Sequence, residues 1–445
     1  MNKPGNTDFT QIIRHLIAAM VLLAAMLAGC QGESIIDSVF PTSPKSDTPL
    51  LTAEPIINEA APQPTPTSLP VRDLIVWVPP QFDPSMDQLG ARLLNQRLEA
   101  FERDNPHVNI IVRVKAASGP GGLLEALTGA SAVAPESLPG LVLLSRADMV
   151  QAIAKNLLAP IDELSAVIDE DDWYGFAQEM AIQQGTTYGL PFVSNLLGII
   201  FRAPKMDSDQ PEWDEVLRRF NQLVFPAGDP EALITLSLYL SAGGEIRDDR
   251  GHQMVDLEEL AEVLNLYAEG SRRGVFSNGL IEVQNDDQAW DLFQNGVGDG
   301  VVTWANRVFS GDNAYQLAML PSLGDLPYST GSGWLWCLPS AHEKVHQEDV
   351  KLAEYLVASE FLAEWSAASG FFPVRPSSLE GWSDSPLKNT ISRMLQSAQL
   401  RPTRQMTSAI SPELKNSVAE ILNRQSTPAE SAQKLIERLE VIDAQ

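Results

Sequence analysis

Leu74-Ile75-Val76-Trp77-Val78-Pro79-Pro80 opens the stretch that decides the fold. Five apolar residues ending at a Pro-Pro pair predict a buried strand. Asp83-Pro84 offers an N-cap and a proline for the first helical turn, and Leu89, Leu93, Leu94, Leu98 and Phe101 follow at helical spacing. Asn105-Pro106 stops that helix, and Val108, Ile110, Val112 and Val114 alternate as a second strand. A turn rich in glycine (Gly119, Gly121, Gly122) leads to a short helix and to a third buried strand at 141–144. The order β-α-β-α-β predicts an α/β layer built on a mainly parallel sheet.

Outward from this core, a second series begins after Tyr188-Gly189-Leu190-Pro191. Residues 196–201 read as a strand, and helices fit 213–223, 233–242 and 256–268. Leu257, Leu260, Ala261, Leu264, Tyr267 and Ala268 line one face of the last helix, with Gly270 beyond its end. Further strands are expected at 301–304 and 315–320. The tail from Thr390 is helical in pattern, interrupted by Pro402, Pro412 and Pro428. No short-period repeat is present.

The first thirty residues have a different character. Lys3 and Arg14 precede an apolar stretch from Leu16 to Ala28, too short for the ~20 residues of a transmembrane helix, and Gly29-Cys30 follows. This is the layout of a secretory leader over residues 1–29. Leu27-Ala28-Gly29-Cys30 resembles the bacterial lipobox, which implies a diacylated Cys30 as the new N-terminus and a membrane anchor. A plain leader with Cys30 near its cleavage site is the alternative. Residues 30–70, with Pro62-Gln63-Pro64-Thr65-Pro66-Thr67-Ser68, offer little continuous apolar surface and read as a disordered, semi-extended tether.

The chain of 445 residues carries 31 Lys plus Arg against 58 Asp plus Glu, a formal charge of −27. A phosphate backbone would be repelled by that surplus, which argues against nucleic-acid binding. Two cysteines, Cys30 and Cys337, cannot staple a fold or build a multi-cysteine zinc site. Cys337 sits among Trp334, Leu335, Trp336 and Leu338 and reads as a buried structural thiol.

Several segments, in order, resemble the extracellular solute-binding proteins of family 1, the group of maltodextrin- and other sugar-binding proteins. They are the strand ending at Trp77, Phe101-Glu102-Arg103-Asp104-Asn105-Pro106, Asn156-Leu157-Leu158-Ala159-Pro160-Ile161-Asp162-Glu163-Leu164, Tyr188-Gly189-Leu190-Pro191, Phe293 to Trp304, Leu320-Pro321 and Phe372-Pro373-Val374-Arg375. Together they span about residues 74–440. Phe201-Arg202 departs from the family's usual Tyr-Asn. The resemblance implies a two-lobe periplasmic-binding-protein-like fold of type II with a multi-stranded hinge. Residues 71–191 and 337–375 would form one lobe, and 192–336 and 376–445 the other. It further implies a monomeric capture subunit, with neither cofactor nor metal, that closes on a mono- or oligosaccharide and delivers it to the transmembrane subunits of an ABC permease. A polyol, sugar phosphate or peptide is the alternative cargo.

Sugars are held by aromatic faces and planar polar groups, and α/β sheets hold ligands at strand ends. The candidates are therefore Gln81 and Phe82 after the first strand, Ser118 and Gly119 after the second, and Ser145 and Arg146 after the third. Asn195 follows the Pro191 crossover, Trp304 ends a strand, Ser332-Gly333-Trp334 lie in the hinge segment, and Arg375 belongs to the last crossover. Core packing is the competing reading for each tryptophan, a loop turn for Ser145 and a hinge ion pair for Arg375. His342-Glu343-Lys344-Val345-His346 matches the H-E-x-x-H pattern of zinc hydrolases, but Pro339-Ser340 before it and Gln347-Glu348-Asp349 after it suit a turn preceding a helix at 349–356. The acidic pairs Asp169–Asp172 and Asp286-Asp287 read as solvated loop charge or helix starts.

Overall fold

The computed structural model describes residues 70–443 apart from 203–205, 249, 311–314 and 341–346. The expected opening series is present as β1 (Arg72–Val78), helix Leu89–Asp104, β2 (Val108–Val114), helix Leu123–Val133 and β3 (Leu141–Ser145). β2, β1 and β3 run parallel, so their carboxyl ends share one edge. Alternation buries Leu74, Val76 and Val78, while the continuous run 141–144 is wholly buried, as befits a strand covered on both faces.

The chain then forms a small hairpin, β4 (Ile182–Gln183) and β5 (Thr186–Thr187), and enters the long strand β6 (Gly189–Arg202). β7 (Leu223–Val224), β8 (Gly300–Trp304), β9 (Tyr315–Met319), β10 (Ser329–Cys337) and β11 (Ala398–Leu400) complete the sheet. Its order is β2-β1-β3-β10-β6-β8-β7, with β9 also on β6 and β11 also on β10. β6 and β10 are antiparallel to each other and pass through both lobes. The carboxyl half of β10 pairs with β3, the carboxyl half of β6 with β8 and β9, and the start of β10 with β11. Partners change inside these strands, after Leu196 in β6 and between Gly331 and Trp334 in β10.

Helix Pro376–Glu380 packs on helix Ser359–Ser369: Ser378 Oγ donates to Ser359 O (2.9 Å) and Trp382 Nε1 to Ser366 Oγ (3.1 Å). Beyond Trp382, Thr390 Oγ1 of helix Pro386–Gln396 donates to Asp209.

Local chemistry explains the other differences. Helix Leu257–Arg273 continues through Gly270 and ends at Gly274, whose φ of +80° suits glycine. Gly270 instead admits Phe276, since a Cβ there would lie 2.1 Å from Phe276 Cδ2. Helix Trp213–Arg219 stops four residues short of the expected end. Pro412 lies in the first turn of helix Ile410–Leu422 and Pro428 starts helix Pro428–Asp443; neither interrupts, because a first-turn proline surrenders no intrahelical bond. Arg202, the family departure, stacks 4.0 Å over Phe293 and donates to Phe293 O (2.6 Å), capping helix Asp286–Gln294.

Candidate functional site

Register decides which side chains meet. Residues opposite each other in an antiparallel pair share a face, as do alternate residues along a strand. Asn195 lies opposite Ser332, Leu197 opposite Trp304, and Trp334 opposite Ser145. These residues therefore share one face of the central sheet. Helix Gly175–Ala181 covers the opposite face so closely that a Cβ on Gly333 would sit 2.3 Å from Val193 O and 2.8 Å from Met180 Sδ. Gly333 is thus fixed by packing.

The remaining sequence candidates divide sharply. Gln81, Ser118 and Gly119 are exposed at the carboxyl ends of β1 and β2, with Gly119 in a left-handed turn at φ +73°. Phe82 is 2% exposed, and its ring is stacked 5.0 Å from Phe371 and 6.0 Å from Trp365. It is a core residue. Trp334 leans edge-on against Phe82 at 5.4 Å. Ser145 caps helix Arg146–Ala154, accepting from Asp148 N (3.1 Å) and donating to Asp148 Oδ2 (2.8 Å). Burial lowers the pKa of Arg146, against the opposing charge of Glu179 on the covering helix. Arg375 is 4% exposed, stacked 3.9 Å over Trp173 and bonded to Glu170 (2.6 Å), so its guanidinium is taken up in the crossover.

Asn195 is committed within the protein. Its Nδ2 donates to Asn306 Oδ1 (2.7 Å), while its Oδ1 accepts from Asn306 N (3.1 Å) and Leu196 N (3.0 Å). The pair fixes the turn after β8 and with it Trp304. Eight of the nine tryptophans contact another aromatic ring or a cation; Trp304 alone has neither among the described residues. Half-buried, it lines a pocket of about 200 Å³ together with Leu197, Asp229, Glu231, Asp286 and Arg401.

Most of that lining was hidden in the sequence. Asp286, read as a helix start or solvated charge, does lie in a helix's first turn, yet it also accepts from Thr303 Oγ1 (2.5 Å) and Arg307 Nε (2.7 Å). Arg401 follows β11, donates its N–H to Gly331 O (2.9 Å) and pairs with Glu231. Burial pushes the Asp229 carboxyl up, opposed by the Leu233 N–H and by the charges of Arg401, Arg404 and Lys415. No motif joins residues 229, 231, 286 and 401; only the fold does.

Two larger hollows, of about 560 and 410 Å³, share Glu179 and Gln399 and contain none of the sequence candidates. They lie beside the covering helix, away from Trp304. Cys337 is fully buried, and burial raises its pKa. Cys30 and the His342–His346 motif lie outside the described residues, and helix Gln347–Leu356 begins just after the motif. Among the described residues no cluster of three or more His, Cys, Asp or Glu could hold a metal, and no helix is long and apolar enough to cross a membrane.

The fold has clear counterparts. The sugar-binding protein MalE from the phytopathogen Xanthomonas citri is 16% identical at a TM-score of 0.67, covering 84% of this chain and 98% of its own. The cyclic alpha-maltosyl-1,6-maltose binding protein from Arthrobacter globiformis is 17% identical at 0.66, covering 84% and 99%. The maltose-binding periplasmic protein MalE from Listeria monocytogenes, in complex with maltose, is 16% identical at 0.65, covering 83% and 97%. No functionally curated protein matches in sequence. The family model for bacterial extracellular solute-binding proteins matches residues 96–390, well over half the chain. With two lobes strung on β6 and β10 and a pocket beside them, the chain belongs to the bacterial extracellular solute-binding protein family.

Proposed function

We propose that this protein is a non-enzymatic carbohydrate-capture subunit of an ABC importer. Cargo would enter between the lobes, favour the closed form and be passed to the permease. Leader removal and lipidation of Cys30 would hold it at the extracytoplasmic membrane surface, with residues 30–70 as tether.

The observation that carries this reading is Trp304, the half-buried ring without an aromatic or cationic neighbour, set beside carboxylates and a guanidinium. An aromatic face next to planar polar groups suits the C–H and O–H surfaces of a sugar. The ligands named for the structural neighbours, maltose among them, are of this class. Gln81 and Ser118 would supply polar contacts from the first lobe, and Ser332 from the hinge.

A thermal-shift screen of the purified protein against mono- and oligosaccharides, polyols, peptides and zinc tests the proposal. A ligand at 100 times its Kd adds about 2.7 kcal/mol, or several degrees of Tm. Stabilisation by one saccharide class supports the proposal. A shift with zinc alone, absent in His342→Ala, refutes it in favour of the metal motif.

A further inference from the structure

We propose that the protein carries a second small-molecule site, for an organic ammonium ion with an apolar stem. It is the groove along helix Gly175–Ala181, on the sheet face opposite Trp304. The inference does not rest on the carbohydrate reading, and none of its residues belongs to the cargo pocket.

The groove follows from how this helix is seated. Glycines on β10 let it approach the sheet: a Cβ on Gly331 would lie 3.3 Å from the Phe176 ring, and one on Gly333 2.8 Å from Met180 Sδ. Gln178 Nε2 donates to Ile168 O (2.9 Å) and Tyr174 N to Val374 O (3.1 Å), which hold the helix in place. The other lining segments are the end of helix Leu233–Ser241, residues 324–328, the end of helix Pro386–Gln396, and β11. The hollows of about 560 and 410 Å³ left between them share Glu179 and Gln399. Each falls within the ~300–1,000 Å³ of small-molecule sites.

Charge sets the ligand class. No Lys, Arg or His lines either hollow, whereas Glu179 lies in both and Asp325 in the larger. The carboxyl end of helix Leu233–Ser241 borders the larger hollow and that of helix Pro386–Gln396 the smaller, and each adds the negative end of a helix dipole. Two guanidinia stand near. Arg146 feels the charge of Glu179, but no ion pair joins the two. Arg401, between the lining residues Leu400 and Pro402, is held by Glu231 and lines the Trp304 pocket instead. The exposed side chains of Glu179, Asp325 and Gln399 have no hydrogen-bond or ion-pair partner among the described residues.

Aromatic rings complete the match. Half-buried Tyr328 lines the larger hollow, and half-buried Tyr174 the smaller. A tyrosine face attracts an ammonium through its ring quadrupole and covers an apolar stem. The field beside Tyr174 has the same sign: burial pushes its hydroxyl up to about 12, and the charges of Asp172 and Glu380 add to the shift. An anionic ligand would meet these carboxylates with no cation in the lining to answer it.

Isothermal titration of the full protein with 2-phenylethylammonium, 2-phenylethanol and 3-phenylpropionate tests this, since the three share a stem and differ in charge. The ammonium is expected to bind about 5-fold or more tighter than the alcohol, and the carboxylate weakest. Glu179→Gln should weaken the ammonium about 2- to 5-fold, the range of an exposed charge pair. Gln399→Trp, which fills the shared part of the groove and leaves the charge unchanged, should weaken it about 10-fold or more. Glu258→Gln, the same charge change at an exposed position outside both hollows, should leave the ammonium affinity within about 1.5-fold. Thermal melts establish that each variant is folded, and Glu179→Gln stands alone should the Trp variant fail. Equal affinity for the alcohol and the ammonium overturns the charge assignment. Ammonium binding unchanged in Glu179→Gln and Gln399→Trp, or weakened as much by Glu258→Gln, overturns the site in favour of diffuse attraction to an acidic surface. No binding of the ammonium overturns the proposal outright.

Discussion

Trp304→Ala and Trp334→Ala should separate binding from stability, although both rings are half-buried on the same face of the sheet. Trp334 meets Phe82 at 5.4 Å and 67°, and Phe82 is itself packed on Phe371, Trp365 and Phe192. Truncating a fully buried tryptophan costs about 3–5 kcal/mol. Half of that, with about 0.5–1.5 kcal/mol for the lost edge-on pair, gives roughly 2–4 kcal/mol for Trp334→Ala. Trp304 has no such ring pair among the described residues and already borders an open pocket, so truncation enlarges an existing hollow and seals no new cavity. The stability loss there should be about 1 kcal/mol. Binding should reverse the order: an anchoring tryptophan contributes about 2 kcal/mol or more, roughly 30-fold in Kd, while Trp334→Ala should stay within about 5-fold. Thermal melts and titration with the sugar identified by screening measure both quantities on the same samples. Equal Tm losses with equal affinity losses would refute the distinction between a packed and a ligand-facing ring.

Three further outcomes follow from local geometry. Gly270→Ala should destabilise by about 1–3 kcal/mol, because its Cβ would strike Phe276, which is 2% exposed; Gly129→Ala, in helix Leu123–Val133 with no atom within 4 Å, should stabilise by up to about 1 kcal/mol, and urea melts of the pair give the signs. At Asp209 burial raises the carboxyl pKa, but hydrogen bonds from Thr390 and Arg393 and the charge of Arg393 outweigh it and hold the pKa below the usual range. A depressed folded-state pKa adds stability that is present above the unfolded value near 3.9 and lost as pH falls through the folded one. Asp209→Asn should flatten that acid limb in melts from pH 5 to 2. Arg375→Met should cost about 1–2 kcal/mol through the lost Trp173 stack and Glu170 bond while leaving ligand selectivity unchanged, as titration of the variant would read.

Elements written in local pattern were legible. The opening β-α-β-α-β series, the buried run at 141–144 and the placing of Cys337 among tryptophans each depend on neighbours within a few residues. Ends were less so. Gly270 looked like a helix stop because glycine commonly ends helices, but the pressure on it comes from Phe276, folded back over the helix after the true stop at Gly274. Trp304 was named from a residue type at a strand end, and it lies half-buried in the lining of a pocket. Phe82 and Arg375 were equally plausible as types, yet the first stacks into the aromatic core and the second is consumed by Trp173 and Glu170. Sequence names the strand end at Ser145-Arg146, but only the register with Trp334 shows that Ser145 shares the pocket's face, and only Glu179 shows where the charge of Arg146 is answered. Arg401 and Glu231 lie 170 residues apart and carry no shared signature; their meeting depends on β11 joining β10.

That meeting bears on how capture would be coupled to closure. β6 and β10 run unbroken between the lobes, and the pocket is fastened to them through Leu197, which faces Trp304, and through the Arg401 N–H on Gly331. Contacts made wholly within this pocket would be the same whether the lobes are open or closed. They would add affinity but could not shift the equilibrium, since a ligand moves two states apart only by its differential affinity for them. The closing force must therefore come from groups that reach the ligand only when the first lobe swings in. Gln81, Ser118 and Gly119 are exposed at the carboxyl ends of β1 and β2, and in the proposed function they would be those groups. In the proposed function the half-buried pocket and the exposed strand ends would thus have separable duties, the one holding the ligand and the other answering its arrival.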